Sequence, residues 1–196
     1  MNIALRLTIF RLAVIPFFVY FIYSCDFYSR LLALILFTAG MISDAYDGYF
    51  ARKRNEITVL GMFLDPLADK LLISAALISF VGIKELHIPS WMVIVIISRE
   101  FLITGLRTLG ASQGMIIPAD KAGKFKTTSQ TVGTIIILVI LVIRAYLGSR
   151  EPADKKIFLE VISPVPFILM FVMTLLTFYS GARYISRYKY IFTKKI

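Results

Sequence analysis

The sequence has little charge and almost none of the residues that build thiolate or imidazole sites. Asp, Glu, Lys and Arg make up 17% of its 196 residues, whereas a soluble domain carries about a quarter. The single cysteine, Cys25, excludes an intramolecular disulfide and argues against a thiolate metal site. The single histidine, His87, lies in a short polar connection, which argues against a histidine-based mechanism.

Apolar residues are abundant instead, at 58% of the chain. They fall in runs of the length that crosses a bilayer as a helix, about 20 residues. The six runs are Leu7–Ser24, Ser29–Ser43, Met62–Gly82, Pro89–Leu109, Thr127–Leu147 and Phe158–Tyr179. No repeat, low-complexity stretch or linker interrupts them. The sequence therefore predicts an all-α integral membrane protein with six transmembrane helices, forming one domain over residues 1–196.

The first run resembles a lipoprotein signal at first sight, because Arg6 and Arg11 precede most of it and Cys25 follows it. Tyr23 is bulky for a cleavage site at that place, and five further runs follow. We therefore expect the first helix to be retained.

The net charge of +10 would indicate nucleic acid in a soluble protein. In a membrane protein, basic loops set the orientation and meet anionic lipid, so no nucleic-acid partner is expected. One side of the predicted bundle collects most of the cations, which include Arg6, Arg11, Arg52, Lys53, Arg54, Arg107, Lys121, Lys124, Lys126, Arg183 and Arg187. We expect that side to be cytoplasmic, with both termini on it.

Four aspartates stand near the junction of the second and third runs. Asp44 and Asp47 are three residues apart and Asp65 and Asp69 are four apart, so each pair shares a helix face. A carboxylate within the bilayer costs on the order of 3 kcal/mol, and four together repel one another. Such a group either takes up protons or binds cations, and oxygen ligands alone suit Mg²⁺, Mn²⁺ or Ca²⁺. A solvated hairpin with paired acids is the plainer alternative, which two facing pairs beside apolar runs disfavour.

The residues around these aspartates fit a phosphorylated ligand. Gly48 and Ala51 are small enough for a ligand to approach the backbone, although glycine serves equally well for helix packing. Arg52 can offer a forked donor to a diphosphate. Thr58 adds a hydroxyl, and Gly61 allows close helix packing.

The full spacing D-x2-D-G-x2-A-R-x8-G-x3-D-x3-D resembles the signature of the CDP-alcohol phosphotransferase family. The resemblance implies a six-helix membrane fold, a homodimer and a site at the cytoplasmic face. It implies that Asp44, Asp47 and Asp65 bind two ions, Mg²⁺ or Mn²⁺, and that Asp69 completes the metal shell and acts as the base. The residues implied to hold the CDP-linked lipid are Thr8, Asp47, Gly48, Ala51, Arg52, Thr58 and Gly61.

The fourth run also contains charge. Arg99 and Glu100 lie inside it and need partners or water; as neighbours on a helix they are not expected to be simply each other's partner. Arg107, Lys124 and Lys126 can form a cationic pocket for a phosphomonoester. An ordinary basic cytoplasmic loop remains the alternative for the lysines.

The segments R-E-F-x3-G-L-R and G-K-x-K-T-x2-Q are similar to family members that use glycerol 3-phosphate as the acceptor. This implies transfer of a phosphatidyl group from CDP-diacylglycerol to glycerol 3-phosphate, with Arg99, Arg107, Lys124 and Lys126 at the acceptor phosphate. Ala4 and Leu5 stand where a Pro-Asn pair is more usual, and the resemblance ends near residue 130. Serine or an inositol phosphate as the acceptor stays open, as does a divalent-cation transporter. A purely structural membrane protein is least favoured.

Overall fold

The computed structural model describes residues 3–54, 59–112, 121–148 and 160–188. Within these ranges, it describes the side chains of residues 8–43, 67–68, 70–108, 110, 126–148 and 160–187. The predicted CDP-binding residue Thr58 lies outside the described residues.

The described ranges contain six long helices and no strand. The helices are α1 (Ile3–Ile22), α2 (Phe27–Arg54), α3 (Val59–Gly82), α4 (Ser90–Ser112), α5 (Lys121–Gly148) and α6 (Val165–Tyr188). A short 3-10 turn, Lys84–Leu86, joins α3 to α4 and ends at His87, whose φ is 50°. The expected all-α architecture is confirmed.

Each predicted run coincides with one of these helices, but the last one is displaced. The run was expected over Phe158–Tyr179, whereas α6 begins at Val165 and continues to Tyr188. Ser163 and Pro164 form a turn before it. The carbonyl of Pro164 accepts the first bond of the new helix, from the amide of Ile168 at 3.0 Å. Pro166 sits in the first turn, where its missing N–H costs nothing.

The bundle has one large apolar core built from α1 to α6. Phe18 of α1, Phe37 of α2 and Phe80 of α3 are fully buried in it, with the Phe18 and Phe37 rings 5.7 Å apart. Helix α1 packs against α2 and α3, while α6 packs against α4 and α5.

Contacts at two levels give the relative directions of the last three helices. Gln130 of α5 contacts Thr177 of α6, and a Cβ at Gly133 would lie 2.5 Å from the sulfur of Met173. Residue numbers therefore increase along α5 in the direction in which they decrease along α6, so the two helices are antiparallel. By the same reasoning α4 and α6 are parallel, since Arg99 contacts Ser180 and Arg107 contacts Tyr184.

A group of charged side chains closes the end of the bundle where α2 begins and α5 ends; we call it the Arg30 clamp (Arg30, Glu85 and Arg144). Arg30 is buried and donates to both carboxylate oxygens of Glu85, at 2.8 and 3.1 Å. It also donates to the carbonyls of Ser24 and Leu141. Arg144 donates to the Glu85 carbonyl. The clamp thus ties α2, α5 and the α3–α4 connection together.

Two helical segments, Lys126–Gly148 and Glu160–Arg187, are long and apolar enough to cross a membrane. Three further apolar segments, Thr8–Ile22, Phe27–Ser43 and Lys70–Gly82, are shorter. Large apolar side chains such as Phe17, Ile94 and Phe178 are at least 60% exposed on the outside of the bundle. An outer surface of this kind fits lipid rather than water.

Candidate active site

The four predicted metal ligands lie on two consecutive helices. Asp44 and Asp47 belong to the second half of α2, and Asp65 and Asp69 to the first half of α3. The side chains of all four are outside the described part of the chain. The helix backbones alone define where these residues stand.

Gly40 of α2 and Leu72 of α3 define how the two helices meet. A Cβ at Gly40 would lie 2.6 Å from Cδ2 of Leu72, so the helices approach closely there. Both residues are at similar distances from the connection between the helices. In an antiparallel pair of equal rise, residues 44–47 then stand beside residues 65–68. The register therefore brings the two acidic segments to the same level.

Helix α1 reaches the same level through Thr8 and Arg11, which are buried and one turn apart. A Cβ at Gly40 would lie 3.9 Å from Cγ of Arg11. Gly40 itself lies one turn before Asp44 on α2. Thr8 is therefore placed close to the acidic helices, as its predicted role at the CDP moiety requires. Arg11 was read from the sequence only as a topology signal. A cation inside an apolar run was the available clue.

The other predicted CDP-binding residues are placed only by the backbone. Gly48, Ala51 and Arg52 lie on α2 beyond Asp47, and Gly61 lies in the first turn of α3. Lys124, predicted at the acceptor phosphate, lies in the first turn of α5, and its side chain is outside the described residues.

Two helices, α4 and α5, supply a group that we call the cation cluster (Arg99, Glu100, Arg107 and Lys126), and α6 packs against it. Lys126 of α5 is 1% exposed, and its ammonium forms an ion pair with Oε1 of Glu100 on α4. Arg99 approaches the same oxygen at 3.4 Å and donates from Nη2 to Ser180 of α6 at 2.9 Å. As expected, Arg99 and Glu100 each reach another helix rather than serving only each other.

Arg107, two turns further along α4, contacts Tyr184 of α6. Its Nε donates to the tyrosine hydroxyl at 3.3 Å, and its guanidinium carbon lies 5.7 Å from the ring centroid. Tyr184 is buried with Ile103 and Leu106 in a small apolar cluster. The aromatic ring thus supports a guanidinium that is itself largely exposed.

A small cavity of about 40 Å³ lies beside Glu100 of the cation cluster. It lies between α3, α4 and α5, and its polar lining comes from Lys70, Ser74, Glu100, Thr127 and Gln130. Lys70 directly follows Asp69 in the chain. The segment carrying the predicted base therefore borders the same space as Glu100, the centre of the cation cluster.

Sequence reasoning missed the part of this region that α6 supplies. Ser180 and Tyr184 contact Arg99 and Arg107, and Thr177 accepts a hydrogen bond from Gln130. These α6 residues follow one another at helical spacing within an apolar run. Polar residues recurring every three or four positions on that run were the signal available.

Comparison with known proteins identifies the family of this chain. The profile of the CDP-alcohol phosphatidyltransferase family matches residues 1–178. A protein named CDP-diacylglycerol–glycerol-3-phosphate 3-phosphatidyltransferase from Bacillus subtilis is 37% identical, over 95% of this chain and 94% of its own. Proteins of the same name from Rickettsia bellii and Shigella flexneri are 33% and 34% identical, each over more than nine-tenths of both chains. This chain is a membrane protein that belongs to the CDP-alcohol phosphatidyltransferase family.

Proposed function

We propose that this protein transfers the phosphatidyl group of CDP-diacylglycerol to glycerol 3-phosphate, forming phosphatidylglycerophosphate and CMP. The observation that carries the proposal is the register of α2 and α3, which brings the two acidic segments to the same level. A lipid-linked diphosphate would lie at these helices, and a phosphorylated alcohol at the cations of α4 and α5. The names of relatives matched over almost their whole length support the same reaction.

The binding site for CDP-diacylglycerol, the phosphatidyl donor, is assigned from the chemistry of the acidic segments. Four carboxylates from two adjacent helices are a donor set that hard divalent cations prefer, so the residues present fit Mg²⁺ or Mn²⁺. Asp44, Asp47, Asp65 and Asp69 would hold the metal, as two ions. Bound metal supplies charge neutralisation at the diphosphate.

The nucleotide part of the donor is assigned to α1, α2 and the start of α3. Arg52 offers a forked guanidinium to the diphosphate, while the small residues Gly48, Ala51 and Gly61 leave room for the backbone to approach it. Thr8 and Thr58 contribute hydroxyl groups to the CDP moiety.

The transfer itself needs one base. Asp69 takes the proton from one of the two free hydroxyl groups of glycerol 3-phosphate. The resulting oxygen forms a bond to the phosphorus of the phosphatidyl group, and the bond from that phosphorus to the oxygen of CMP breaks. Arg99, Arg107, Lys124 and Lys126 hold the acceptor's own phosphate and so orient its hydroxyl.

The membrane arrangement is part of the proposal. All six helices span the bilayer of a bacterial inner membrane as one domain over residues 1–196, with both termini and the site on the cytoplasmic side. The antiparallel α5–α6 pair and the parallel α4–α6 pair support an alternating path. We further propose that the protein is a homodimer surrounded by lipid.

Purified protein in detergent–lipid micelles with CDP-diacylglycerol, Mg²⁺ and an alcohol tests the reaction. We expect phosphatidylglycerophosphate from glycerol 3-phosphate, and little product from serine or an inositol phosphate. Preferred use of either of those would replace the acceptor, and metal flux into liposomes without nucleotide would favour a transporter.

The Asp69→Asn variant tests the base. We expect CMP release to fall by roughly 100-fold or more, the scale of general base catalysis, while the affinity for Mn²⁺ changes much less. Asp26→Asn, at an exposed carboxylate in the α1–α2 connection, is the matched control. Near-normal turnover by Asp69→Asn would remove Asp69 as the base.

A further inference from the structure

One face of α6 contacts the cation cluster through hydrogen bonds as well as through packing. Ser180, Gly181 and Tyr184 recur at helical spacing, and each contacts a guanidinium-bearing side chain of α4. None of the three carries charge, so none is itself a phosphate-binding cation. Their effect on a bound phosphate must pass through Arg99 and Arg107.

Gly181 and Ser180 together form a seat for Arg99. A Cβ at Gly181 would lie 2.9 Å from Cγ of Arg99, so the aliphatic part of the arginine lies directly against the α6 backbone. The Ser180 hydroxyl then accepts from Nη2 at 2.9 Å, which fixes the plane of the guanidinium. The Nε atom of Arg99 is buried and has no hydrogen-bond partner within the described residues. The arginine is thus held in place with donor capacity to spare.

Tyr184 does the same for Arg107 one turn further along α6. The hydroxyl accepts from Nε at 3.3 Å, and the ring lies within reach of the guanidinium charge. Tyr184 is 3% exposed and packs against Ile103 and Leu106, so the ring has little freedom to move. A rigid ring against a flexible arginine lowers the entropy lost when the arginine binds an anion.

We propose that Ser180, Gly181 and Tyr184 are positioning residues that preset Arg99 and Arg107 for the phosphate of the acceptor. The proposal rests on the proposed function, because it names the part of the fold that prepares that site for a phosphorylated alcohol. These residues act on acceptor binding and leave the CDP-lipid side unchanged.

The test compares steady-state constants of Tyr184→Phe and Ser180→Ala with those of the unaltered protein. Each variant removes one hydroxyl and keeps the remaining shape. We expect the KM for glycerol 3-phosphate to rise roughly three- to ten-fold, as for the loss of one typical intramolecular hydrogen bond. The KM for CDP-diacylglycerol should change less than two-fold. The matched controls are Tyr179→Phe and Ser186→Ala, at exposed positions of the same helix, and both should behave like the unaltered protein.

A double variant separates positioning from general loosening of the bundle. If Tyr184 acts through Arg107, adding Tyr184→Phe to Arg107→Ala raises the acceptor KM no further. Independent, additive increases would overturn the proposal, as would an equal rise in both KM values. Gly181→Ala should shift Arg99 and raise the acceptor KM as well, and Tyr184→Phe decides the matter if Gly181→Ala does not fold.

The same assay keeps this proposal apart from the proposed function. If the unaltered protein makes no lipid product from glycerol 3-phosphate, the proposed function fails. If it does so, and Tyr184→Phe and Ser180→Ala leave the acceptor KM unchanged, only the role of α6 fails.

Discussion

The Arg30 clamp and the cation cluster both place charged side chains between helices, yet they are built differently. In the clamp, one buried arginine is matched by a carboxylate that takes two of its bonds and by two backbone carbonyls. In the cluster, one oxygen of Glu100 contacts two of the three cations, Arg99 and Lys126, while Arg107 contacts Tyr184. The acceptors around Arg30 hold helices together, whereas the cluster also carries the exposed guanidinium of Arg107, which we propose receives an anion.

Breaking the ion pair at the centre of the cluster should have the largest effect. Glu100→Gln keeps the side-chain volume but leaves the buried ammonium of Lys126 without its carboxylate. We expect a loss of roughly 3 kcal/mol in the free energy of unfolding, measured as a lower Tm in detergent. Glu160→Gln, at an exposed position, is the control.

The double variant Glu100→Gln/Lys126→Met sharpens the comparison. It removes both charges, so most of the lost stability should return, while the acceptor KM stays raised because a cation is missing. If the double variant is as unstable as Glu100→Gln, the ion pair is not the source of the lost stability. If its acceptor KM is normal, the cluster is as purely structural as the clamp.

Removing the buried Arg30 from the clamp should lower the free energy of unfolding by less, and it should leave the kinetic constants unchanged. Arg30→Met keeps an apolar stem but leaves Glu85 and two carbonyls without their donor. We expect the free energy of unfolding to fall by about 2 kcal/mol. The loss is limited because Glu85 and the carbonyl oxygens nearest the surface can accept hydrogen bonds from water instead. Both KM values should stay within two-fold of normal, and a selective change in the acceptor KM would show that the two networks are not separate in role.

The smallest effect is the pH dependence of the clamp. The hydrogen bond from Arg30, helped by the charges of Arg30 and Arg144, lowers the pKa of Glu85 below its ordinary value of 4.5. Pairing therefore favours the ionised carboxylate in the folded protein. Its stabilisation is complete above the ordinary pKa and is lost as the pH falls through the lower folded-state pKa. Since the carboxylate side chain is 42% exposed, the effect should be below about 1 kcal/mol.

Thermal unfolding between about pH 6 and about pH 3 measures this effect. The Tm of Glu85→Gln should fall less steeply over this range than that of the unaltered protein. Asp26, whose pKa is lowered by the backbone amide of Ser29, titrates in the same region and remains in both proteins. Parallel curves would contradict the assigned role of Glu85.

The sequence was sufficient for the features that depend on local pattern. Long apolar runs predicted all six helices, and the fixed spacing of Asp44, Asp47, Asp65 and Asp69 predicted the family, which the comparisons confirm. The start of α6 was missed because apolar composition does not reveal a turn at Ser163 and Pro164. The roles of the individual site residues stay predictions.

Contacts between distant helices were out of reach of the sequence. Lys126 with Glu100, Arg144 with the carbonyl of Glu85, and Tyr184 with Arg107 all depend on how the helices are rotated against one another. Helical periodicity fixes which residues share a face but not which neighbour that face meets. The resemblance ended near residue 130, so only the polar residues recurring along the last apolar run pointed to α6.

Gly40 has a consequence for the acid-bearing helices although it has no side chain to offer a ligand. Leu72 is fully buried beside it and has little room to move, so the spacing between α2 and α3 depends on the absence of a side chain at residue 40. Gly40 lies one turn before Asp44. A larger residue at position 40 would push the two acidic segments apart and lengthen the metal–oxygen distances at any ion shared between them, although every ligand would still be present.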